Sequence, residues 1–356
     1  MRNILSHFGV QADDKDISPL GSGLINDTFK VNAGGHCYVL QRVNHHIFCD
    51  VDALQRNIDA VTAHIRRKIT EKGGDKDAKR ATLRFLDNTA TGKSYYFDGD
   101  CYWRVSEYID GTFTRTTVNE ENAFKTGKAF GDFQRLLSDL PEQLVETIPD
   151  FHNMDFRLRQ FKEALASDAA GRKGGVSELT EALLARAGHA CLAERLHEKG
   201  LLPKRICHCD TKVDNILFDK EGNVVCVIDL DTVMPSFVFS DFGDFLRSAA
   251  NTGKEDDPDP DNIEFDMSVF RPFARGYMES AGAFLTEVEK GNLPYAAERF
   301  AYMQSVRFLT DYLNGDIYYK TSYPEHNLVR AKAQFKLLQS IESHLDEMKA
   351  YISTFE

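Results

Sequence analysis

What this 356-residue chain lacks narrows what it can be. No stretch approaches the ~20 apolar residues needed to span a bilayer. The N-terminus, Met1-Arg2-Asn3-Ile4-Leu5-Ser6-His7-Phe8, has no apolar run of the kind that directs secretion. Positive charge is in deficit. Against 55 Asp and Glu stand 43 Lys and Arg, a formal net charge of −12, so no nucleic-acid partner is expected. The seven cysteines are odd in number, dispersed and without a C-x-x-C pair, which reads as reduced thiols in a cytosol. Cys207 and Cys209 flank His208, but a single intervening residue fits zinc poorly and no second half-site follows; alternating core positions on a strand account for the pair. Internal repeats and long low-complexity tracts are also missing. These absences describe a cytoplasmic globular protein with neither membrane nor nucleic acid as partner.

At 42% hydrophobic, a chain of this length buries a substantial core, and its size favours two lobes. Residues 1–110 read as strand-rich. Thr28–Val31 and Cys37–Val43 are β-type runs separated by the turn Asn32-Ala33-Gly34-Gly35. Val51, Leu54, Ile58, Val61, Ile65 and Ile69 then recur at helical spacing up to Gly73-Gly74. Strands are expected again at 82–86, 94–97 and 101–105. This order suits an antiparallel sheet with one helix packed on it. Beyond Asp110-Gly111 the pattern turns helical, with helices expected from Ala123 to Leu137 and near 155–168, 177–199, 241–251, 262–281, 293–313 and 328–354. The acidic run Glu255–Asp261 holds two prolines and reads as a solvated loop.

Two segments carry chemistry. His208-Cys209-Asp210-Thr211-Lys212-Val213-Asp214-Asn215 places an Asn five residues after an Asp, and Ile228-Asp229-Leu230-Asp231 adds two carboxylates on a following hairpin strand. Phosphoryl transfer needs this set: a carboxylate to accept the proton of an attacking hydroxyl, and oxygen ligands to hold Mg²⁺ against nucleotide phosphates. Asp210 is the candidate proton acceptor. Asn215 and Asp229 are the candidate metal ligands. Asp231, two residues on, either bridges a second ion or supports the first from outside its coordination sphere, and Asp214 reads as a turn cap. Lys220-Glu221-Gly222-Asn223 is the hairpin turn. Upstream, Gly21-Ser22-Gly23 precedes the first hairpin, and its glycines would let backbone N–H groups approach phosphates. Gly92-Lys93-Ser94 is no P-loop, because Asp87 stands where the first glycine is required and a strand follows.

These segments resemble the aminoglycoside-phosphotransferase and choline-kinase family of small-molecule kinases. Within it, His208–Phe218, Ile228–Pro235 and Asp241–Arg247 are similar to N-acetylhexosamine 1-kinases. The resemblance implies an α+β, protein-kinase-like bilobal fold: a small antiparallel-sheet N-terminal nucleotide-binding lobe (1–110) and a larger, mainly helical catalytic and substrate-binding lobe (111–356). It implies ATP- and Mg²⁺-dependent phosphorylation of the anomeric C1 hydroxyl of N-acetylglucosamine or N-acetylgalactosamine by a monomer or homodimer. Adenine would lie near Glu107, Tyr108 and Ile109, contacting mostly backbone. Arg307 and Tyr318 would bind the sugar beside Asp210, with Asp316 and Tyr319 as neighbours; a surface ion pair with Asp311 is the alternative for Arg307.

Two departures stand out. The kinase pattern wants a Lys on the third strand and a Glu on the next helix, whereas this strand reads Val39-Leu40-Gln41-Arg42-Val43. Alternation lets Gln41 or Arg42 face the phosphates but not both, and Arg42 is taken for its charge. In the loop, Cys209 stands where many relatives carry glycine and is expected to pack inward. Another acceptor (choline, homoserine, an aminoglycoside, another sugar) or a catalytically inactive nucleotide binder are the competing readings.

Overall fold

The structure, a computed structural model, describes residues 1–21, 25–73 and 75–355. The chain forms two compact units. The sheet-bearing unit comprises residues 1–115, 136–149 and 214–235, and the helical unit comprises 116–135, 150–213 and 236–356.

The sheet-bearing unit opens with helix α1 (Arg2–Ser6) and strands β1 (Ile17–Pro19), β2 (Asp27–Ala33) and β3 (His36–Val43). Gly34 and Gly35, at φ 58° and 81°, make the two-residue turn joining β2 to β3, a conformation that carries the right-handed twist of the strands. Helices α2 (Val51–Gly73) and α3 (Asp75–Ala81) follow, then β4 (Tyr96–Phe97) and β5 (Tyr102–Glu107). The five strands run in the order β1-β2-β3-β5-β4, all neighbours antiparallel. Leu40, Trp103, Val105 and Val31 on one face pack against Leu5, Phe8 and Val10. The strand expected at 82–86 is not regular: Phe85 makes an isolated bridge to Ser106, because the chain leaves α3 only at Ala81 and turns again at Asn88. The strand expected at 94–97 shortens to Tyr96–Phe97.

Three side chains tie the separate stretches of this unit together. Buried Asn57 on α2 donates to the carbonyls of Val145 (2.8 Å) and Val233 (3.1 Å). Lys68 reaches the Leu136 carbonyl at 2.8 Å. Thr147 Oγ1 donates to the Asp231 carbonyl at 2.9 Å. The last stretch carries the hairpin β6 (Ile216–Phe218) and β7 (Val224–Val227).

The helical unit contains α4 (Glu120–Leu137, whose last turn passes into the other unit), α5 (Met154–Ser167), α6 (Ser177–Ala190), α7 (Leu192–Glu198), α8 (Phe239–Ala249), α9 (Met267–Ala281), α10 (Glu287–Gly291), α11 (Leu293–Leu313) and α12 (His326–Ile352). The single helix expected over 177–199 breaks at Cys191. Nearly every residue of α11 is buried, and it packs against α5, α8 and α12. Helices α4 and α9 touch backbone to backbone: a Cβ added at Gly127 would lie 2.1 Å from the Phe273 carbonyl oxygen, and one at Gly276 2.1 Å from that of Phe124. Gly243 likewise lets α8 approach α11, since a Cβ there would meet the Ala296 oxygen at 2.3 Å. None of the described helices is long and apolar enough to cross a membrane.

Candidate active site

Asn215 and Asp229 lie at the same end of the β6–β7 hairpin. The register pairs Ile216 with Val227, and the Ile228 N–H donates to the Asn215 carbonyl at 2.9 Å. The backbone thus brings the Asn215 and Asp229 positions together at one end of the hairpin. No group of three or more His, Cys, Asp and Glu able to hold a metal is found among the described residues. Two protein oxygens suit Mg²⁺, which keeps water and phosphate oxygens as its other ligands, better than an ion caged entirely by protein. Asp229 sits in the left-handed region (φ 59°, ψ 59°), where Asp and Asn are the tolerated non-glycine residues.

Asp231 is already engaged by protein groups. Its carboxylate is 2.6 Å from Arg104 Nη2 and accepts a 2.6 Å hydrogen bond from Asn26 Nδ2, and all three residues are buried. Asn26 in turn accepts from the Asn44 N–H at 2.9 Å, so Asn26 is tied both to the end of β3 and to the 3₁₀ turn that follows Asp229. Gln41 lies directly across the ladder from Arg104 and accepts from its Nε at 2.9 Å.

Strand alternation therefore sorts the third-strand candidates. Gln41 shares a face with Arg104 and Asp231. Arg42 points to the opposite face, that of Leu40 and Trp103, where it pairs with Asp27 across β2–β3 and stays half exposed. The pleat thus puts Gln41, and not Arg42, beside Arg104 and the Asp231 cluster. Glu107 lies on the same face as Arg42 and is paired with Arg84 at 2.8 Å. Ile109 is buried, and its carbonyl accepts from Thr112 at 2.6 Å. Gly21 is exposed with φ 71°, a left-handed turn that favours glycine. Ser22 and Gly23 lie outside the described residues.

In the helical unit, Asp210 stands on a loop held from below by α8. The Asp241 carboxylate, fully buried, accepts from the backbone N–H groups of His208 (3.0 Å) and Cys209 (2.8 Å) and from Gln134 Nε2 (2.7 Å). One turn on, Asp244 accepts from the Thr211 N–H at 3.1 Å and pairs with Arg247. Burial pushes both carboxyls above the usual carboxylate range; His208 and the donated N–H groups oppose this at Asp241, and Arg247 opposes it at Asp244. Lys212 Nζ lies 2.7 Å from Asp210 Oδ1, with both side chains partly open to solvent. Sequence reading assigned no role to Lys212, Asp241 or Asp244, although the i, i+3 acids on one helical face were visible in it.

Cys209 is buried and packs inward as expected, at φ 64°, a left-handed conformation that favours glycine. The left-handed strain, about 1–2 kcal/mol, is of the same size as what burying a small side chain returns. Cys209→Gly is therefore expected to stay active with stability within about 1 kcal/mol of the parent. Cys209→Val, β-branched at positive φ, is expected to lose about 3 kcal/mol or more. Denaturant midpoints of the two variants check this.

A second cluster surrounds Arg307 on α11. Its guanidinium lies 5.7 Å from the rings of both Phe151 and Tyr319 and donates to Gln304 Oε1 at 3.3 Å. Asp311 is not its partner. That buried carboxylate accepts instead from the backbone of Ile317, Tyr318 and Tyr319 and from Asn327, fixing the loop that presents both tyrosines. Tyr318 is exposed, and Asp316 braces the same loop through Arg172 and Asn327. Among the described residues Arg157 donates to neutral oxygens, those of Gln160 and the Phe151 carbonyl; burial and then Arg307 push it down to about 10. His152 is pushed well below its usual range, first by burial and then by Arg307, Arg299 and Arg157. From His152 a hydrogen bond of 3.1 Å leads to Ser240, which also contacts the thiol of Cys209, the residue before Asp210.

A five-stranded antiparallel sheet in one unit and a helical second unit make up the protein-kinase-like bilobal fold, with the acidic loop and hairpin of a phosphotransferase. The chain belongs to the Phosphotransferase enzyme family, whose profile matches residues 16–273. Among solved structures, an aminoglycoside phosphotransferase from Alicyclobacillus acidocaldarius is 14% identical with a TM-score of 0.60, covering 98% of this chain and 96% of the other. Spectinomycin phosphotransferase APH(9)-Ia, in complex with ADP and spectinomycin, is 13% identical with a TM-score of 0.58 and 97% of each chain covered. A choline kinase from Cryptosporidium parvum is 14% identical with a TM-score of 0.55, covering 96% of this chain and 94% of the other.

Proposed function

We propose that this phosphotransferase moves the terminal phosphoryl group of ATP to the anomeric C1 hydroxyl of N-acetylglucosamine or N-acetylgalactosamine, yielding the sugar 1-phosphate. Nucleotide as donor is supported by the family and by the ADP held in the structural neighbour described above. Asn215 and Asp229 would hold Mg²⁺, which when bound supplies charge neutralisation to the phosphates during transfer. Asp210 takes the proton of the acceptor hydroxyl, and Lys212 holds that carboxylate in place until the hydroxyl arrives. Asp241 and Asp244 fix the backbone that carries it, which is what a reaction driven by positioning demands.

The observation that carries the acceptor class is the Arg307–Arg157 cluster. Two guanidiniums bonded to neutral oxygens, beside a neutral histidine and walled by Phe151, Tyr318 and Tyr319, repel a choline or aminoglycoside cation. They suit a neutral sugar, with rings to cover its apolar face and N–H donors for its hydroxyl and acetamido oxygens. The purified protein, given ATP, Mg²⁺ and a panel of N-acetylhexosamines, glucose, choline and an aminoglycoside, is expected to show the ³¹P signal of a sugar 1-phosphate from the N-acetylhexosamines. Turnover confined to choline or the aminoglycoside, or phosphate at C6, would overturn the assignment.

A further inference from the structure

We infer that Arg104 on β5 is the positioning cation of the sheet-bearing unit, in place of a third-strand lysine. It works by clamping Asp231 and hence the Asp229 segment on which metal and nucleotide binding would depend. The inference deepens the proposed function and rests on it for the kinetic part of its test.

In protein kinases the organising ion pair joins a lysine of the third strand to a glutamate of the next helix. Here β3 offers Gln41, and the α2 acid on hand, Asp59, is committed to Ser94 (2.6 Å) and Gln55 (3.2 Å). The pair exists nonetheless, one strand over. Arg104 is 2% exposed, sits across the ladder from Gln41, is oriented by the Gln41 oxygen, and lies over the Phe85 ring at 5.2 Å. Its carboxylate partner is Asp231, two residues beyond Asp229 and joined to it through a single 3₁₀ turn. Asn26, just before β2, closes the arrangement by donating to the same carboxylate.

A buried ion pair is a poor device for stability alone, since desolvation cancels most of its attraction. This one even leaves Arg104 Nη1 and Asp231 Oδ1 buried without a hydrogen bond among the described residues. What it does achieve is geometric. The close Nη2–Oδ1 contact and the Asn26 hydrogen bond to Oδ2 fix the carboxylate from both sides, and the short turn transmits that to Asp229, which must be held in an uncommon left-handed conformation. Because the acid comes from the metal-binding segment and not from a helix, the pair is assembled whenever the hairpin is folded.

The test uses the full chain with Arg104→Lys and with the charge-neutral double variant Arg104→Met/Asp231→Leu, which leaves no unpaired buried charge. Affinity for Mn²⁺ in the presence of ADP is read by electron paramagnetic resonance, thermal unfolding by calorimetry, and kcat and KM from the acceptor assay. The double variant is expected to fold and to lose about 10–100-fold in Mn²⁺·ADP affinity, with kcat falling in parallel and KM for the acceptor unchanged. Arg104→Lys is expected to fall between it and the parent. Parent-like Mn²⁺·ADP affinity and kcat in the double variant would overturn the inference. So would failure of both variants to fold, which would reduce the pair to structural support. If the parent phosphorylates no N-acetylhexosamine, the proposed function fails while the Mn²⁺·ADP measurement still reports on Arg104.

Discussion

Asparagine in place of Asp210 is expected to lower kcat by about 10²–10⁴-fold, the range that a positioned proton acceptor contributes. The amide fills the same space on the same loop, so His208, Cys209 and Thr211 remain held by α8 and the thermal midpoint should scarcely move. What disappears is basicity, together with the ion pair to Lys212. Because that pair is partly solvated, its own loss is worth little to stability. KM for ATP should stay near that of the parent, since the proposed metal ligands, Asn215 and Asp229, are unchanged. Steady-state kinetics alongside a melting curve separate the effects. Turnover within a few-fold of the parent would remove Asp210 from the proton-accepting role.

Asp241→Ala should be the most damaging change in stability. It strands three buried donors at once, the N–H groups of His208 and Cys209 and the amide of Gln134. Each unsatisfied donor costs about 1–3 kcal/mol. Removing a carboxylate that is itself costly to bury returns part of this, so a net loss of about 4 kcal/mol is expected. Unlike Asp210→Asn, this variant should lose activity and stability together, as the loop backbone lets go of its support. A denaturant titration showing a loss below about 1 kcal/mol would mean that water or a shifted side chain replaces the carboxylate.

What was legible in the sequence follows from the range of each interaction. The β2–β3 hairpin, most of the long helices and the β6–β7 hairpin are set by turns and periodicities within a few residues and appear where the residues put them, whereas the helix expected over 177–199 breaks at Cys191 and the one expected over 262–281 begins at Met267. Asp210, Asn215 and Asp229 could be proposed from the sequence because their chemistry is packed into two short segments. Asn26, Arg104 and Asp231 were not readable as a set, since their partners lie across the sheet and in a 3₁₀ turn far along the chain; an arginine in Tyr102-Trp103-Arg104-Val105 looks like any residue of a β-strand. That Gln41 and not Arg42 joins Asp231 was hidden for a related reason: the pleat makes them mutually exclusive, but which face meets Asp231 is fixed only by folding. The irregular 82–86 segment shows the same limit from the other side, since its β-type composition is real but α3 and the turn at Asn88 leave it too little chain to form a ladder.

The threading of the sheet-bearing unit from three stretches bears on how such enzymes can be recombined. A graft that ended at residue 115 would import Arg104, Asn26 and Asn57 while leaving behind Asp231, Val145 and Val233, so a guanidinium and two amides would arrive in the host without their counterparts. Chimaeras between relatives should therefore exchange residues 136–149 and 214–235 along with the N-terminal stretch, and single-crossover libraries should be depleted of folded members wherever the breakpoint falls between Arg104 and Asp231.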